Sequence, residues 1–380
     1  MAIVLPEPKH LGLFDDLGED PEYLSTQLIT YIGNKRALLG FIDIALDIVK
    51  ARLGREKLDI LDMFSGSGVV SRFFKGSARH LWVNDVEGYA ETLSRCYLSD
   101  APDLSRLAPM HARLLEEIED NMRPGFIAEM YAPKDENNVQ LGERCFFTPR
   151  NAAYIDTARQ LIERLPLDVR RYFIAPLLTE ASIKSNTSGV FKGFYKNSHT
   201  GIGQFGGNGK DALSRILTRI KLPFPVFSRF SCPIEVRRED ANALAARLPR
   251  IDLAYLDPPY NQHPYGSNYF MLNLVDSYRR PAEVSNVSGI PTDWNRSAYN
   301  SRKCAFEALS RLCRDIDARF LLLSFNSEGF IAKDQMLAML GDLGRTEIIE
   351  KTYNTFRGSR NLRGRDIHVT EYLFLVDKVG

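Results

Sequence analysis

The feature that most constrains this 380-residue chain is a strand that runs straight into a glycine turn and then a helix. Leu58 to Met63 reads as a short buried strand, Phe64-Ser65-Gly66-Ser67-Gly68 turns the chain, and helical spacing runs from Val69 to Phe74. His80 to Asn84 follows as a second strand and ends at Asp85. This is a βαβ unit, which builds a parallel sheet with helices on its faces. Glycine at 66 and 68 lets a ligand approach the backbone closely, although tight helix–strand packing alone also selects glycine there. Asp85 lies 19 residues beyond Gly66, where a carboxylate can accept hydrogen bonds from both ribose hydroxyls of a nucleoside. Position 71 is serine, so the third glycine of a dinucleotide fingerprint is missing, and a nucleoside without a pyrophosphate fits better.

Strand patterns return near the other end. Pro233 to Arg237, Ile251 to Leu256, Phe320 to Phe325, Glu347 to Thr352 and Glu371 to Val376 read as strands, the last two as a hairpin closed by a basic loop. Leu38 to Val49, Leu104 to Met122, Asn151 to Leu165 and Tyr172 to Ser182 carry helical spacing, with Asn151 to Leu165 expected in the core. The expected architecture is one doubly wound α/β domain interrupted by a mostly helical insertion. Its parts are an N-terminal tail over 1–25, a sheet-bearing domain over 26–100 and 232–380, and the insertion over 101–231.

Asp257-Pro258-Pro259-Tyr260 follows the apolar strand Ile251 to Leu256. Two prolines fix two φ angles and remove two N–H donors, so carbonyls and the Asp257 side chain converge as acceptors at the strand's end. That arrangement grips an amine, and Tyr260 offers a face on which a heterocycle can stack. Asp-Pro-Pro is also a common turn, but here a buried strand precedes it and an aromatic follows.

The net charge of +1 hides an uneven distribution. From Lys184 to Arg229 there are eight basic residues against one acid, interleaved with seven glycines and with Phe191, Phe194, Tyr195 and Phe205. Such a stretch can follow a phosphate backbone and offer stacking faces, while the bland reading of either basic cluster alone is solvated loop charge. A second cluster holds Lys351, Arg357, Arg360, Arg363 and Arg365. The five cysteines form no C-x-x-C pair and the six histidines no H-x-x-H, so neither a disulfide framework nor a metal site is expected. His263, three residues past the Asp-Pro-Pro-Tyr motif, either borders the site or makes a structural hydrogen bond. There is no apolar run of about 18 residues and no secretory signal pattern, so no membrane association and a cytoplasmic location are expected.

Taken together, these motifs resemble the DNA adenine N6-methyltransferases of the alpha arrangement, the group found in bacterial restriction-modification systems and phages. Tyr31-Ile32-Gly33-Asn34-Lys35-Arg36 is similar to that family's N-terminal motif, Leu61 to Gly68 to its S-adenosylmethionine-binding glycine motif, and Asn84-Asp85 to its ribose-binding acid. Asp240, within Arg238 to Asn242, is similar to the acid that contacts the cofactor adenine, and Asp257 to Tyr260 to the catalytic motif. Asn186 to Val190 resembles a DNA-contacting turn. Asn261 to Tyr269, Leu323 to Gly329, Gly358 to Leu362 and Glu371 to Phe374 also match, with Phe325 where tyrosine is expected.

The resemblance implies a Rossmann-like S-adenosylmethionine-dependent methyltransferase fold with a helical DNA-recognition insertion. It implies cofactor contacts from Tyr31, Gly33, Lys35, Asp62, Phe64, Gly66, Ser67, Gly68, Asp85, Asp240 and Asp257, and catalysis by Asp257, Pro258, Pro259 and Tyr260 on an adenine flipped out of double-stranded DNA. Lys184, Asn186, Lys192, Lys196, Arg357, Arg360 and Arg363 are the expected DNA contacts, and a cognate restriction endonuclease is the implied partner. Three other readings share parts of the pattern: an amino-methyltransferase of structured RNA, a cytosine N4-methyltransferase, and a DNA-binding protein that has lost catalysis. The 172 residues between Asp85 and Asp257 leave room for a recognition insertion that compact RNA enzymes usually lack. Cytosine enzymes more often carry Ser at the position of Asp257, and intact Gly66, Gly68, Asp85 and Asp257 argue against decay.

Overall fold

The computed structural model describes residues 18–100, 102–207, 209, 212–354 and 368–378. Seven strands form one sheet: β1 (Leu58–Asp62), β2 (Ala78–Asn84), β3 (Ile234–Arg237), β4 (Ile251–Leu256), β5 (Ala318–Asn326), β6 (Gly344–Asn354) and β7 (His368–Lys378). Their order is β3-β2-β1-β4-β5-β7-β6. The first five are parallel, and β7 runs antiparallel between β5 and β6. From β1 the chain steps outward to β2 and β3, then returns to β4 on the other side of β1 and steps away through β5. Strand order therefore reverses between β1 and β4, where Asp62, the last residue of β1, is in register with Tyr255, the last but one of β4. In an open α/β sheet the carboxyl ends at such a reversal leave a crevice for a ligand.

Period-two side-chain alternation divides the core into two layers. Leu58, Ile60, Leu253, Tyr255, Phe320 and Leu322 enter one layer, against the helices Leu39–Leu53, Val69–Lys75 and Gly88–Tyr97. Leu61, Ala254, Leu256, Leu321 and Leu323 enter the other, against Ala305–Asp315 and Lys333–Gly341. The doubly wound expectation is met, and the last two strands pair as the expected hairpin. The helices Gly88–Tyr97, Phe270–Ser277, Ala305–Asp315 and Lys333–Gly341 are additional to those expected from the sequence.

The helices Leu104–Asp120, Pro149–Ile162 and Leu167–Ile183 lie in the chain between β2 and β3, and every residue from Asn151 to Arg159 is buried, as expected of a core helix. Their apolar faces belong to the first sheet layer, so this segment shares that core. Buried Arg159 fastens it further. Its guanidinium donates to the carbonyls of Val275 (2.7 Å) and Asp276 (3.0 Å) and pairs with Glu163.

The end of the expected N-terminal tail is ordered structure. Pro21–Ser25 is helical, Tyr23 and Leu24 are buried, and the Tyr23 hydroxyl donates to the Tyr97 carbonyl at 2.7 Å. Buried Arg72 donates to the carbonyls of Tyr23 and Thr26, so an internal cation holds this segment down by its otherwise unpaired backbone acceptors. No helix among the described residues is long and apolar enough to cross a membrane.

Candidate active site

The crevice at the β1/β4 reversal is a cleft enclosing about 960 Å³ of non-protein space, its mouth included. Its walls come from the ends of β1, β2 and β4, the segment after β3, and two loops. At the end of β1 the turn needs glycine twice. Gly66 has φ +51° and Gly68 has φ +76°, the left-handed region that L side chains rarely adopt. A Cβ on Gly66 would also stand 2.8 Å from Tyr31 Cε1. The Gly66 amide donates to Asp85 Oδ2 at 2.8 Å, and the Glu87 amide donates to Asp85 Oδ1 at 2.9 Å, so the β2 acid is oriented by backbone from both sides.

Asp62 closes the floor of the cleft. Its Oδ2 accepts from Ser71 Oγ at 2.5 Å, while Oδ1 is buried and has no hydrogen-bond partner. Burial pushes this carboxyl up to about 7. Glu87, also buried and held by the Asn273 (2.5 Å) and Asn295 (3.1 Å) amides, is likewise pushed up to about 7 by burial. Asp240 caps the helix Ala241–Ala245 by accepting from the Ala243 amide at 3.0 Å, and it lines the cleft.

Asp257 follows the last residue of β4 beside a buried cation. Lys35 Nζ lies 3.2 Å from Asp257 Oδ1 and 2.7 Å from Glu371 Oε1, and 5.7 Å from the centre of the Tyr260 ring. Burial raises Asp257 to about 6, with Lys35 opposing the rise and Glu371 adding to it. Lys35 itself is held well above the usual lysine range: the neighbouring negative charges, Asp257 foremost, outweigh a desolvation cost that alone would lower it. Tyr260 is fixed at both ends, its hydroxyl accepting from Asn326 Nδ2 at 3.0 Å and its carbonyl from the Phe330 amide at 2.9 Å. Phe325 packs on Tyr260 at 5.2 Å between ring centres, which is what the residue found in place of the expected tyrosine does.

Tyrosines tie the N-terminal loop to the loop after β4. Tyr31 stacks with Tyr265 (4.9 Å) and Tyr269 (4.7 Å). The Tyr269 hydroxyl accepts from the Ile32 amide at 2.7 Å, and the Tyr265 hydroxyl donates to the Ile32 carbonyl at 3.1 Å. These bonds carry Gly33 and Lys35 into the cleft.

Of the expected cofactor positions, Tyr31, Gly33, Lys35, Asp62, Phe64, Gly66, Ser67, Asp85, Asp240 and Asp257 all line the cleft. Gly68 instead caps the helix Val69–Lys75 and belongs to the turn's shape. Pro259 lines the cleft, Pro258 is buried behind it, and Tyr260 stands beside Gly33. Sequence reasoning missed Glu87, Asn295, Tyr299 and Asn300 as lining residues and Glu371 as a partner of Lys35. Glu87 was within reach, two positions past Asp85, whereas Asn295 to Asn300 belong to a loop without a local signature. His263 is exposed and does not line the cleft.

The expected DNA contacts divide. Lys192 is exposed, Lys196 lies over the Phe194 ring at 5.0 Å, and Lys184 caps the helix Leu167–Ile183. Asn186 is fully buried. Its amide nitrogen donates to the carbonyls of Cys145 (2.7 Å) and Gln204 (2.8 Å), and its oxygen accepts from the Gly206 amide (3.0 Å). In this conformation it pins the glycine-rich loop from inside rather than facing solvent. The loop packs on the segments that flank the cleft's lining, since the Phe191 amide donates to the Asn268 carbonyl at 2.7 Å and Gly189 packs on Thr30, the residue before Tyr31. Arg357, Arg360 and Arg363 lie outside the described residues.

Comparison with known proteins agrees with this geometry. The chain is 29% identical over 357 residues to the Type II methyltransferase M.CviAII of Paramecium bursaria Chlorella virus 1, covering 92% of this chain and 98% of that protein. It is 27% identical to M.NlaIII of Neisseria lactamica, covering 92% and 99%. Against M.FokI of Planomicrobium okeanokoites the identity is 26%, over 92% of this chain but 52% of that longer protein. Residues 31–286 match a single family description, and the match runs from the tyrosine-held loop through β4 and its acidic motif. The chain belongs to the D12 class N6 adenine-specific DNA methyltransferase family.

Proposed function

We propose that this chain binds S-adenosylmethionine in the β1/β4 cleft and methylates N6 of an adenine flipped out of double-stranded DNA, at one short sequence, as the modification enzyme of a restriction-modification system. The observation that carries the reading is the pairing of two features in one cleft. Asp62 presents an unpartnered buried carboxylate oxygen, and Asp257 presents a carboxylate at the rim with one oxygen already engaged by Lys35. The first fits the ammonium of an amino-acid-bearing nucleoside, for which Asp85 and Glu87 offer acceptors to the ribose and Asp240 one to the base. The second fits the exocyclic amine of the target.

When bound, S-adenosylmethionine supplies a methyl group already activated by its sulfonium. What the protein adds is position. Asp257 and the Pro258 carbonyl accept the amino hydrogens of the target, favouring the rehybridised nitrogen that forms the new N–C bond, and the surplus proton leaves toward Asp257. Tyr260, clamped by Asn326 and Phe330, gives the flipped base its stacking face. Lys192 and Lys196, on the loop packed behind the cleft's N-terminal wall, supply phosphate contacts that orient the duplex without reading it. The names of the relatives, Type II methyltransferases and modification methylases, support the restriction-modification setting; a cognate endonuclease as partner and the cytoplasm as location belong to the same proposal.

The test is single-molecule sequencing of DNA treated with the purified protein and S-adenosylmethionine, beside an Asp257→Ala control. N6-methyladenine confined to one short motif and absent from the control is the expected result. Methyl groups appearing in RNA, or an active control, would overturn the reading.

A further inference from the structure

We infer that Glu371, on β7, is a positioning residue for methyl transfer, which acts by sharing the Lys35 ammonium with Asp257. The inference rests on the reading of Asp257 as the acceptor of the target amine. Its basis is a buried three-charge cluster. Glu371 is 1% exposed and Lys35 3%, and a carboxylate so deep costs far more than a polar side chain unless something requires it. Glu371 Oε1 takes the shorter contact to Lys35, 2.7 Å against 3.2 Å for Asp257 Oδ1, and it also accepts from Ser324 Oγ at 3.0 Å.

Two carboxylates around one ammonium leave a net negative charge at the site. Were Lys35 paired with Asp257 alone, the ammonium would satisfy Asp257 and weaken it as an acceptor for the amine. With Glu371 holding the ammonium, Asp257 keeps acceptor strength while Lys35 still fixes its orientation. Positive charge develops on the target nitrogen as the methyl group arrives, and the excess negative charge sits next to it.

Sheet topology explains how the residue arrives there. A parallel strand brings its C-terminal end to the cleft edge, but β7 is antiparallel and brings its N-terminal end. Glu371 is thereby in register with Asn326 of β5, the residue that clamps Tyr260. One cross-strand pair thus supports both the carboxylate and the ring of the catalytic motif.

The test is Glu371→Gln, which keeps shape and removes charge, measured by single-turnover methylation across pH with cofactor and DNA binding measured separately. The groups facing Asp257 are Lys35, Glu371, Asp62, Tyr255, Tyr260 and Tyr265. Only the first of these lowers the Asp257 pKa and Glu371 raises it, so removing the Glu371 charge moves the acid limb of the rate to lower pH. The expected result is that shift together with a rate at least about tenfold lower at neutral pH and near-unchanged binding. A wild-type rate with an unmoved acid limb overturns the inference, as does a lower melting temperature with neither change. An Asp257→Asn control that stays active would instead sink the reading of Asp257. Should Glu371→Gln fail to fold, Ser324→Ala frees the same carboxylate of one donor, and an unmoved acid limb in that variant overturns the inference equally.

Discussion

Asp62 allows the cofactor assignment to be tested through protons. Burial holds its carboxyl at about 7, and its Oδ1 has no partner. A ligand ammonium placed against that oxygen demands the ionised form, so binding expels the proton the free protein carries. Because the pKa is raised, the acid is protonated below about 7 and ionised above it, and affinity falls as pH falls. The apparent Kd is multiplied by one plus the ratio of protonated to ionised acid, roughly 1.1 at pH 8, 2 at pH 7 and 11 at pH 6. The weakening from pH 8 to pH 6 is therefore about tenfold, or about 1.4 kcal/mol. Titration calorimetry with S-adenosylhomocysteine, which keeps the ammonium, in two buffers of different ionisation enthalpy counts the expelled protons: about half of one at pH 7 from this group. Glu87 borders the same cleft with a similarly raised carboxyl, so Asp62→Asn is needed to divide the two contributions. Methylthioadenosine, which lacks the ammonium, isolates the nucleoside half. A Kd that stays flat from pH 8 to pH 6, or an Asp62→Asn variant with the full wild-type dependence, would refute the assignment of Asp62 as the ammonium's counter-ion.

Gly66→Ala meets both a φ of +51° and a Tyr31 ring 2.8 Å from the new Cβ, whereas Gly54→Ala meets a φ of +63° with open space around it. Urea unfolding is expected to show about 1–3 kcal/mol lost at Gly66 and a smaller loss at Gly54, with weakened S-adenosylhomocysteine binding only for Gly66→Ala; equal losses would show that the Tyr31 contact does not matter. Lys192→Ala is expected to weaken DNA binding and reduce the slope of log K against log salt by about 0.9, with folding stability unchanged. Asn186→Ala is expected to behave the other way, losing about 1–3 kcal/mol of stability because three backbone partners, two of them in buried bonds, are orphaned, and a slope change in a still-stable Asn186→Ala protein would count against its placement inside the loop.

How much of this was legible in the chain follows from the range over which each signal acts. Strand β4 was read to the residue because Ile251 to Leu256, Asp252 aside, is apolar on both faces, a local consequence of burial between two helical layers. The Gly66 turn and Asp85 were legible because backbone conformation and strand ends are local too. The helix Ala305–Asp315 carries a readable signal of the same local kind, with Ala305, Leu309, Leu312 and Cys313 buried at helical spacing. The burial of Asn186 was not legible for a physical reason: an asparagine in a glycine-rich basic loop looks solvent-facing, yet such a loop lacks side chains to pack and needs an internal hydrogen-bonding hub to hold its shape.

Glu371 is the opposite case: the resemblance of Glu371 to Phe374 marked the start of this strand, but nothing near it in sequence pointed to Lys35 as its partner. It lies 336 positions from Lys35, and its meaning depends on β7 entering the sheet antiparallel, which turns its N-terminal end to the cleft. A hairpin can be read from two apolar runs and a basic loop. Which of its strands takes the inner place beside β5 is decided by packing against the whole sheet. Had β6 taken that place instead, a parallel neighbour of β5 would have brought residues near Asn354 to the cleft edge, and Lys35 would face Asp257 alone. The charge balance at the catalytic motif is thus a property of strand order, and strand order is where reading from local pattern stops.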